Sequence, residues 1–399
     1  LHDNSNEGEP SLGERLGAYY TPIPLADYVI AEMERKRAFK EGMKVLDPAC
    51  GSGTFLVECY RRLIEKKIRS EGRKLKTSEL RELLTRHIFG IDRDDDACRI
   101  AELSLILTLL DYVEPPDLEN SNFKLPMLRQ SNIFKDDFFN DDGDWHSALG
   151  DVSFNWIIGN PPWSEVTGEP GVDHEHYYVA KWTKQNKTTH PTGGNQVAEA
   201  FLWKAGEDLS SNGVSGLVVP AMTWFKKESA AFRRRFFSQR EVWCIANFAN
   251  MASELFARRA QSPASTVFFL QRSPTQEHSI LSFAPFIAEQ VANRPQRSRT
   301  RAFTWNIIVN GGEIQEVPNQ SAIEGNAITW KFAMWGSNRD ARLLNKLGKH
   351  IESFQSFSSR NNLIAHQGLE LRDHRTHPDE SLEHHPDLTG KMRLESSNL

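Results

Sequence analysis

The sequence predicts an α/β fold with a doubly wound, mostly parallel sheet and a C-terminal extension. Two observations lead to this prediction. From about residue 15 to residue 220, short apolar strands alternate with amphipathic helices, which is typical of βαβ units. The clearest strand, at 43–50, also runs directly into a glycine-rich turn and a helix. Parallel sheets commonly hold a ligand at such a strand end.

The other elements follow from apolar periodicity. Further strands are expected at 87–92, 154–159 and 215–220, with helices at 22–40, 93–111 and 196–211. Beyond residue 220, the pattern predicts a basic helix at 225–238, strands at 241–248 and 265–272, and short strands at "SILSFAPF" and "AITWKFAMW". The last 35 or so residues show little apolar periodicity, which indicates a linker or an incomplete domain.

Composition limits the class of protein. The chain has 399 residues, 39% of them hydrophobic, and can bury a substantial core. Its net charge of -5 argues against a generally cationic DNA-coating protein but leaves local basic faces open. Four cysteines without a CxxC pair indicate a reducing compartment, so the cytoplasm is expected. No apolar run is long enough to span a membrane, no signal peptide is evident, and the start at Leu1 predicts a fragment.

The first candidate ligand site is the glycine-rich turn "DPACGSGTF" (47–55). Gly51 and Gly53 let the backbone approach a ligand at a helix N-terminus, and Asp47 can accept hydrogen bonds there. Asp92 ends the next strand, where such sheets hold an acid for ribose hydroxyls. A GxGxxG fingerprint and a P-loop lysine are absent, which favours a nucleoside such as S-adenosylmethionine. Glycines in a turn can also serve structure alone; the aspartate that follows favours the ligand site.

The second candidate site is "WIIGNPPW" (156–163), where a buried strand runs into an amide and two prolines. A purine amine is a poor nucleophile because its lone pair is delocalised into the ring. The Asn160 side chain and the Pro161 carbonyl can accept its two hydrogens, and Pro161 and Pro162 hold both acceptors rigidly. Trp163 offers a stacking face for a base taken out of the duplex. The alternative is a proline-stiffened turn with Trp163 in the core.

These residues together resemble the S-adenosylmethionine-dependent adenine-N6 DNA methyltransferases of the gamma arrangement. In that family the cofactor motifs precede the catalytic motif, and a target recognition domain follows. The resemblance covers about residues 13–272 in the family's order. It implies a Rossmann-like fold, S-adenosylmethionine as cofactor, no metal, and double-stranded DNA as substrate. Trp163 stands where tyrosine or phenylalanine is commoner and keeps the stacking face.

The resemblance also implies the site residues. The motif "GAYYTP" (17–22) looks like the N-terminal cofactor motif. The residues implied for cofactor binding are Tyr20, Thr21, Pro22, Asp47, Pro48, Ala49, Gly51, Gly53, Thr54, Phe55, Asp92 and Asn132. For the contact with the cofactor's adenine, "RQSNIFKDDFF" (129–139) offers Asn132 or Asp137, and Asn132 is preferred. The catalytic residues implied are Asn160, Pro161, Pro162 and Trp163, and Phe256 is a second candidate for stacking the flipped base.

The same resemblance divides the chain into domains. It predicts a disordered segment at 1–14, a methyltransferase domain at 15–272, an extension at 273–350, and a linker or the start of an incomplete target recognition domain at 351–399. A specificity or restriction subunit is a possible partner, and restriction-modification or phage defence the expected setting.

Two alternatives remain at this point. NPP followed by an aromatic residue also occurs in methyltransferases of RNA or protein amines, although the "YYTP" element and the chain's length favour the DNA enzymes. The second alternative is a non-catalytic DNA-binding subunit of a defence complex. Two basic stretches, 226–240 and 294–301, are candidates for phosphate contact, while the histidines at 366–385 lack metal-site spacing.

Overall fold

The computed structural model describes residues 21–118, 124–150, 152–166, 176–251, 255, 263–287, 307–309, 311, 314–336, 339–340, 342–343, 346–347, 352 and 354–362. The chain divides into two compact units, residues 1–341 and 342–399. Within the described ranges, no helix combines the length and apolar character needed to cross a membrane. The domain boundaries given above stay predictions.

The strands, in chain order, are β1 Val45–Asp47, β2 Ile88–Asp92, β3 Ile133–Lys135, β4 Phe154–Gly159, β5 Leu209–Pro220, β6 Glu241–Asn247, β7 Ala264–Leu270, β8 Ser279–Phe283, β9 Phe286–Ile287, β10 Ile307–Ile308 and β11 Gln315–Pro318. Nine of these described strands form one sheet in the order β11-β8-β6-β7-β5-β4-β1-β2-β3. Strands β3, β2, β1, β4 and β5 run parallel, and β7 is antiparallel to both of its neighbours.

The helices, in chain order, are α1 Ile23–Lys36, α2 Thr54–Glu71, α3 Thr77–His87, α4 Asp95–Leu110, α5 Pro115–Leu118, α6 Asp144–Leu149, α7 Tyr177–Gln185, α8 Val197–Asp208, α9 Met222–Phe225, α10 Ala230–Gln239, α11 Asn319–Ile323, α12 Ala327–Trp335 and α13 Phe354–Arg360.

The sheet is buried on both faces. Trp156 and Ile158 of β4 belong to the core that contains the apolar sides of α1 to α4, whereas Phe154 and Ile157 belong to the core with α7, α8 and α10. Trp156, Ile157 and Ile158 alternate between the two cores with the two-residue period of a strand, and a register shift between Phe154 and Trp156 places Phe154 on the same side as Ile157. Because both faces are covered, the central strands read as continuous apolar runs. The predicted α/β class and the strands expected up to residue 272 are confirmed.

One predicted strand is wrong. The stretch "AITWKFAMW" forms the helix α12, not a strand. Asn326 caps this helix, since its side-chain oxygen accepts a hydrogen bond from the Ile328 N–H at 2.9 Å. Trp330 and Ala333 are the buried residues, and their spacing of three fits a helix face. In so short and apolar a run, periodicity alone does not separate helix from strand.

Candidate active site

A cavity of about 390 Å³ lies at the carboxyl ends of the parallel strands. Strand β1 lies between β4 and β2, so the chain reverses its direction of progress across the sheet beside β1. Asp47, Asp92 and Asn160 line the cavity from the ends of β1, β2 and β4. Open α/β sheets bind ligands at such a reversal, because the loops there diverge and leave a crevice.

The two glycines of the first turn have different surroundings. Gly51 lines the cavity at a φ of +51°, and a Cβ placed on it would meet nothing within 4 Å. Gly53 has a φ of +84° and precedes α2, but it does not line the cavity. A Cβ on Gly53 would come 3.1 Å from the Ala101 Cβ of α4. Gly53 therefore permits close helix packing, and its expected cofactor contact is not supported by its position.

Asp92 holds the turn in place. Its Oδ2 accepts a hydrogen bond from the Gly51 N–H at 2.8 Å, and its Oδ1 accepts one from the Asp94 N–H at 2.9 Å. Burial raises the pKa of the Asp92 carboxyl, and these two backbone donors partly oppose that rise. Asp92, the expected ribose-binding acid, thus lines the cavity and is held in place by a hydrogen bond from the backbone of the glycine-rich turn.

Asp47 is more deeply buried, with 1% of its surface exposed. Burial raises the pKa of this carboxyl well above its ordinary value, and the charge of Asp92 adds to the rise. A Cβ on Gly159 would come 2.5 Å from the Asp47 Oδ1. Gly159 therefore lets the end of β4, which carries the candidate Asn160, approach Asp47 closely. Sequence reasoning missed this role because Gly159 reads as an ordinary strand end.

The positions of the two candidates for the adenine contact favour Asp137 over Asn132. Asn132 precedes β3, is 2% exposed, and donates from Nδ2 to the carbonyls of Thr85 and Ile88 at 2.9 and 2.8 Å. Asp137 follows β3 and lines the cavity. Since the ligand crevice lies beyond the carboxyl ends of parallel strands, the residue after β3 is the one in reach.

Asp137 is one of a group of charged residues at the cavity. Burial raises the pKa of its carboxyl, while Arg93, whose Nη1 lies 3.8 Å from Oδ2, lowers it in part. Its Oδ1 accepts a hydrogen bond from the Phe139 N–H at 2.8 Å. Asp94 and Asp136 also line the cavity. Acidic groups outnumber basic ones there, which favours a ligand that carries positive charge.

Part of the cavity wall is aromatic and apolar. Phe201 of α8 lies edge-on to Phe139, with ring centroids 5.0 Å apart, and is stacked with Phe138 at 5.5 Å. Val197, one helical turn before Phe201, lines the same wall. Sequence reasoning did not single these residues out. The available signals were the Phe pair directly after Asp137 and the four-residue spacing on α8.

The NPPW motif divides between the cavity and the core. Asn160 and Pro162 line the cavity, whereas Pro161 and Trp163 do not. Trp163 is half-buried, packs against the core on the α1 side, and donates from its indole N–H to the Val218 carbonyl at 3.4 Å. Stacking of a base by Trp163 stays a prediction, as does the role of Phe256, which lies outside the described residues.

His176 also lines the cavity, and the sequence carried no signal for it. It is buried, and its Nε2 lies 3.2 Å from the Oγ of Ser164, which directly follows the NPPW motif. The Ser164 carbonyl in turn accepts the Val197 N–H at 3.1 Å. His176 thus connects the cavity to the segment after the catalytic motif.

The remaining predicted residues fall as follows. Thr21, Pro48, Ala49, Thr54 and Phe55 line the cavity. Pro22 lies at the start of α1, where its carbonyl accepts N–H groups of the first turn, and it does not line the cavity. Tyr20, the stretch 294–301 and the histidines at 366–385 lie outside the described residues.

The basic stretch 226–240 has a partly structural explanation. Arg233 is fully buried and donates hydrogen bonds to the carbonyls of Thr223 and Gly325 at 3.0 Å. This guanidinium is therefore part of the packing between α10 and the segment before α12. Only the exposed residues of the stretch are open to a polyanion.

Comparison with known proteins gives a family match. The model of the family described as N-6 DNA Methylase matches residues 9–306. The type II restriction enzyme and methyltransferase RM.Eco57I of Escherichia coli is 25% identical over 222 residues, 49% of this chain and 21% of the relative. The type I restriction enzyme MjaIX methylase subunit of Methanocaldococcus jannaschii is 27% identical over 159 residues, 40% of this chain and 20% of the relative. The chain matches about a fifth of the length of these relatives.

A solved structure also resembles the fold. It is a nuclease-deletion mutant of the Type ISP restriction-modification enzyme LlaGI in complex with a DNA substrate mimic. The TM-score is 0.53 at 16% identity, over 67% of this chain and 24% of that chain. At this identity the likeness concerns the fold alone, and it agrees with the α/β sheet described above.

Proposed function

The chain belongs to the N-6 DNA methylase family, and we propose that it transfers a methyl group from S-adenosylmethionine to the N6 amine of adenine in DNA. One observation carries the proposal. Asn160 and Pro162 line the same cavity as Gly51, Asp92 and the Phe201 wall. A base amine at the end of β4 would therefore meet a nucleoside cofactor bound at β1 and β2.

The residues present fit S-adenosylmethionine. Asp47, Asp92 and Asp137 are carboxyls whose pKa values burial raises. A cationic ligand, or one rich in hydroxyl donors, would stabilise their ionised forms. Because Gly51 has no side chain, its backbone is accessible from the cavity. Phe139 contributes to an apolar wall suited to an adenine ring. When bound, S-adenosylmethionine supplies an activated methyl group on a sulfonium.

The role of the NPPW motif is to prepare the amine. The Asn160 side-chain oxygen accepts one N6 hydrogen, and the Pro161 backbone carbonyl accepts the other. Both bonds favour a pyramidal nitrogen with a localised lone pair. Pro161 and Pro162 hold these acceptors in place before the base arrives, so little reorganisation is needed during transfer. With its lone pair localised, N6 would bond to the activated methyl group, a neutral thioether would be left in place of the sulfonium, and the proton that N6 releases would pass to solvent water.

Asn160→Ala provides the test. Nucleoside mass spectrometry would compare DNA from cells expressing the intact protein with DNA from cells expressing the variant. We expect N6-methyladenine only with the intact protein and a loss of turnover of at least about a hundredfold in the variant. Affinity for S-adenosylmethionine, measured by calorimetry, should stay within a few-fold. Equal loss of turnover and cofactor affinity would contradict the assigned roles.

The same assay addresses the rival substrates. An enzyme that acts on an RNA or protein amine would place labelled methyl groups in that polymer and leave DNA unlabelled. A non-catalytic subunit would bind DNA without any turnover. The presence of Asn160 and Pro162 at the cavity favours catalysis over this last alternative.

The assembly and setting belong to the proposal as well. We infer that double-stranded DNA is the substrate, that a specificity or restriction subunit is a partner, and that the setting is restriction-modification or phage defence. The family match and the restriction-enzyme names of the relatives support this inference.

A further inference from the structure

Two aromatic pairs join helices α9 and α12. The first pair, Trp224 and Trp330, is buried, with ring centroids 5.7 Å apart. The second pair, Phe225 and Trp335, is stacked at 5.0 Å with an interplanar angle of 24°, yet Trp335 is 64% exposed. Since the buried pair already connects the helices, the exposed pair is not needed for that contact. It leaves a large aromatic face in water, where tryptophan is typical of binding surfaces.

The exposed pair lies at the same edge of the sheet as the cavity. Gly159, the last residue of β4, pairs with Leu217 of β5. Strand β5 ends three residues later at Pro220, about 10 Å further along at the rise of a strand, and α9 follows directly. Lys226, the residue after Phe225, forms an ion pair with Glu165 at 3.1 Å. Glu165 is itself only five residues beyond Asn160.

Three lysines lie close to the pair along the chain, together with the acidic residues Glu165 and Glu228. Lys226 and Lys227 follow Phe225, and Lys331 lies one turn before Trp335 on the same face of α12. Lys227 and Lys331 are exposed, and among the described residues neither forms an ion pair. Lysines beside an aromatic face complement a phosphate chain with unstacked bases. An apolar protein surface would be a poorer match for these charges.

We propose that Phe225 and Trp335 form a second base-stacking site, which holds a nucleobase flanking the target adenine. The inference rests on the proposed function for the identity of the polymer. Extrusion of a base from a duplex removes the stacking partner of its neighbours. A neighbour that stacks on the exposed face of Trp335, with its phosphates near Lys227 and Lys331, would regain that contact.

Binding to single strands isolates the stacking contribution. The intact protein would be titrated by fluorescence anisotropy with an oligothymidylate and with an abasic strand of equal length. Thymine lacks an exocyclic amine, so these probes do not depend on amine recognition by Asn160. We expect Trp335→Ala to weaken oligothymidylate binding by about tenfold, the effect of losing one stacked base, and to leave abasic-strand binding within twofold.

Three variants serve as controls. Trp335→Phe should retain most of the affinity, because it keeps an aromatic face. Ile328→Ala, an exposed apolar residue on the same face of α12, should change neither affinity by more than twofold. Replacement of both Lys227 and Lys331 by alanine should weaken both strands and reduce the salt dependence of binding.

The proposal is overturned if Trp335→Ala leaves oligothymidylate binding unchanged, as expected for a protein-binding face, or weakens both strands equally. These outcomes are independent of the methylation assay. Base-dependent binding through Trp335 without any N6-methyladenine would support this site and reject the proposed reaction. N6-methyladenine without the Trp335 effect would do the reverse.

Discussion

The cavity carboxylates and Glu199 differ in surroundings although burial raises the pKa values of both. Asp47, Asp92 and Asp137 line a cavity that a ligand can enter. Glu199 lies on α8 with no exposed surface, and its Oε2 accepts the Gly193 N–H at 2.5 Å. Burial raises the pKa of Glu199 to about 7, and the charge of nearby Arg233 lowers it only in part.

A raised pKa alone does not identify a ligand-binding acid. Val197 and Phe201 of α8 face the cavity, whereas Glu199, between them in sequence, does not line it. A raised pKa reports burial in both places. Only the position of the carboxyl relative to the cavity separates a candidate binding group from a packing group.

The largest effect is expected for Asp92→Ala. This change removes the acceptor of the Gly51 and Asp94 N–H groups together with the proposed ribose contact. Hydrogen bonds to a charged group contribute about 1.5–3 kcal/mol each, so affinity for S-adenosylmethionine should fall about a hundredfold. Calorimetry would measure it, with the exposed Asp96→Ala of the next helix as a control. A loss below threefold would remove Asp92 from the site.

The second prediction contrasts Asn132 with Asp137. Asn132→Ala leaves a buried carbonyl and a half-buried carbonyl without their donor and should lower the free energy of unfolding by about 3 kcal/mol, with cofactor affinity unchanged. Asp137→Asn should weaken cofactor binding by about tenfold with little change in stability, because the amide oxygen can still accept the Phe139 N–H. Denaturant unfolding and calorimetry on both variants measure the two effects. The reverse pattern would restore Asn132 as the cofactor residue.

Glu199→Gln should stabilise the protein at high pH and leave its affinity for the cofactor unchanged. The pKa of Glu199 is raised in the folded state. The contribution of its protonated carboxyl to stability is therefore fully present below the unfolded-state pKa of about 4.3. That contribution is lost as the pH rises through about 7. The variant should therefore gain about 2 kcal/mol over the intact protein at pH 8 and almost nothing at pH 4. Thermal unfolding at both pH values measures this gain, and a pH-independent difference would show that Glu199 is already ionised in the fold.

The smallest effect is expected for Trp163→Phe. The indole N–H donates to Val218 at 3.4 Å, which is long for such a bond, and phenylalanine keeps the aromatic face. The free energy of unfolding should change by less than about 1 kcal/mol. Methyl-transfer kcat/KM should stay within threefold. A much larger loss of kcat/KM at unchanged stability would show that Trp163 contacts the base through its indole nitrogen.

The central strands and the two motifs at their ends are predictable from the sequence alone. Local signals suffice there: an apolar run, a glycine turn and a rigid Asn-Pro-Pro are properties of consecutive residues. These signals predicted β1, β2 and β4 and the cavity residues Asp47, Asp92 and Asn160. They do not specify which side chains from distant segments meet.

The three-dimensional fold sets the remaining features of the site, because cavity walls come from residues far apart in the chain. It placed Asp137 rather than Asn132 at the carboxyl edge, since three strand residues separate the two ends of β3. It brought Phe201 and His176 to the cavity through helix packing that no local pattern encodes. It also made α12 a helix, because capping and burial of one face outweighed an ambiguous apolar run.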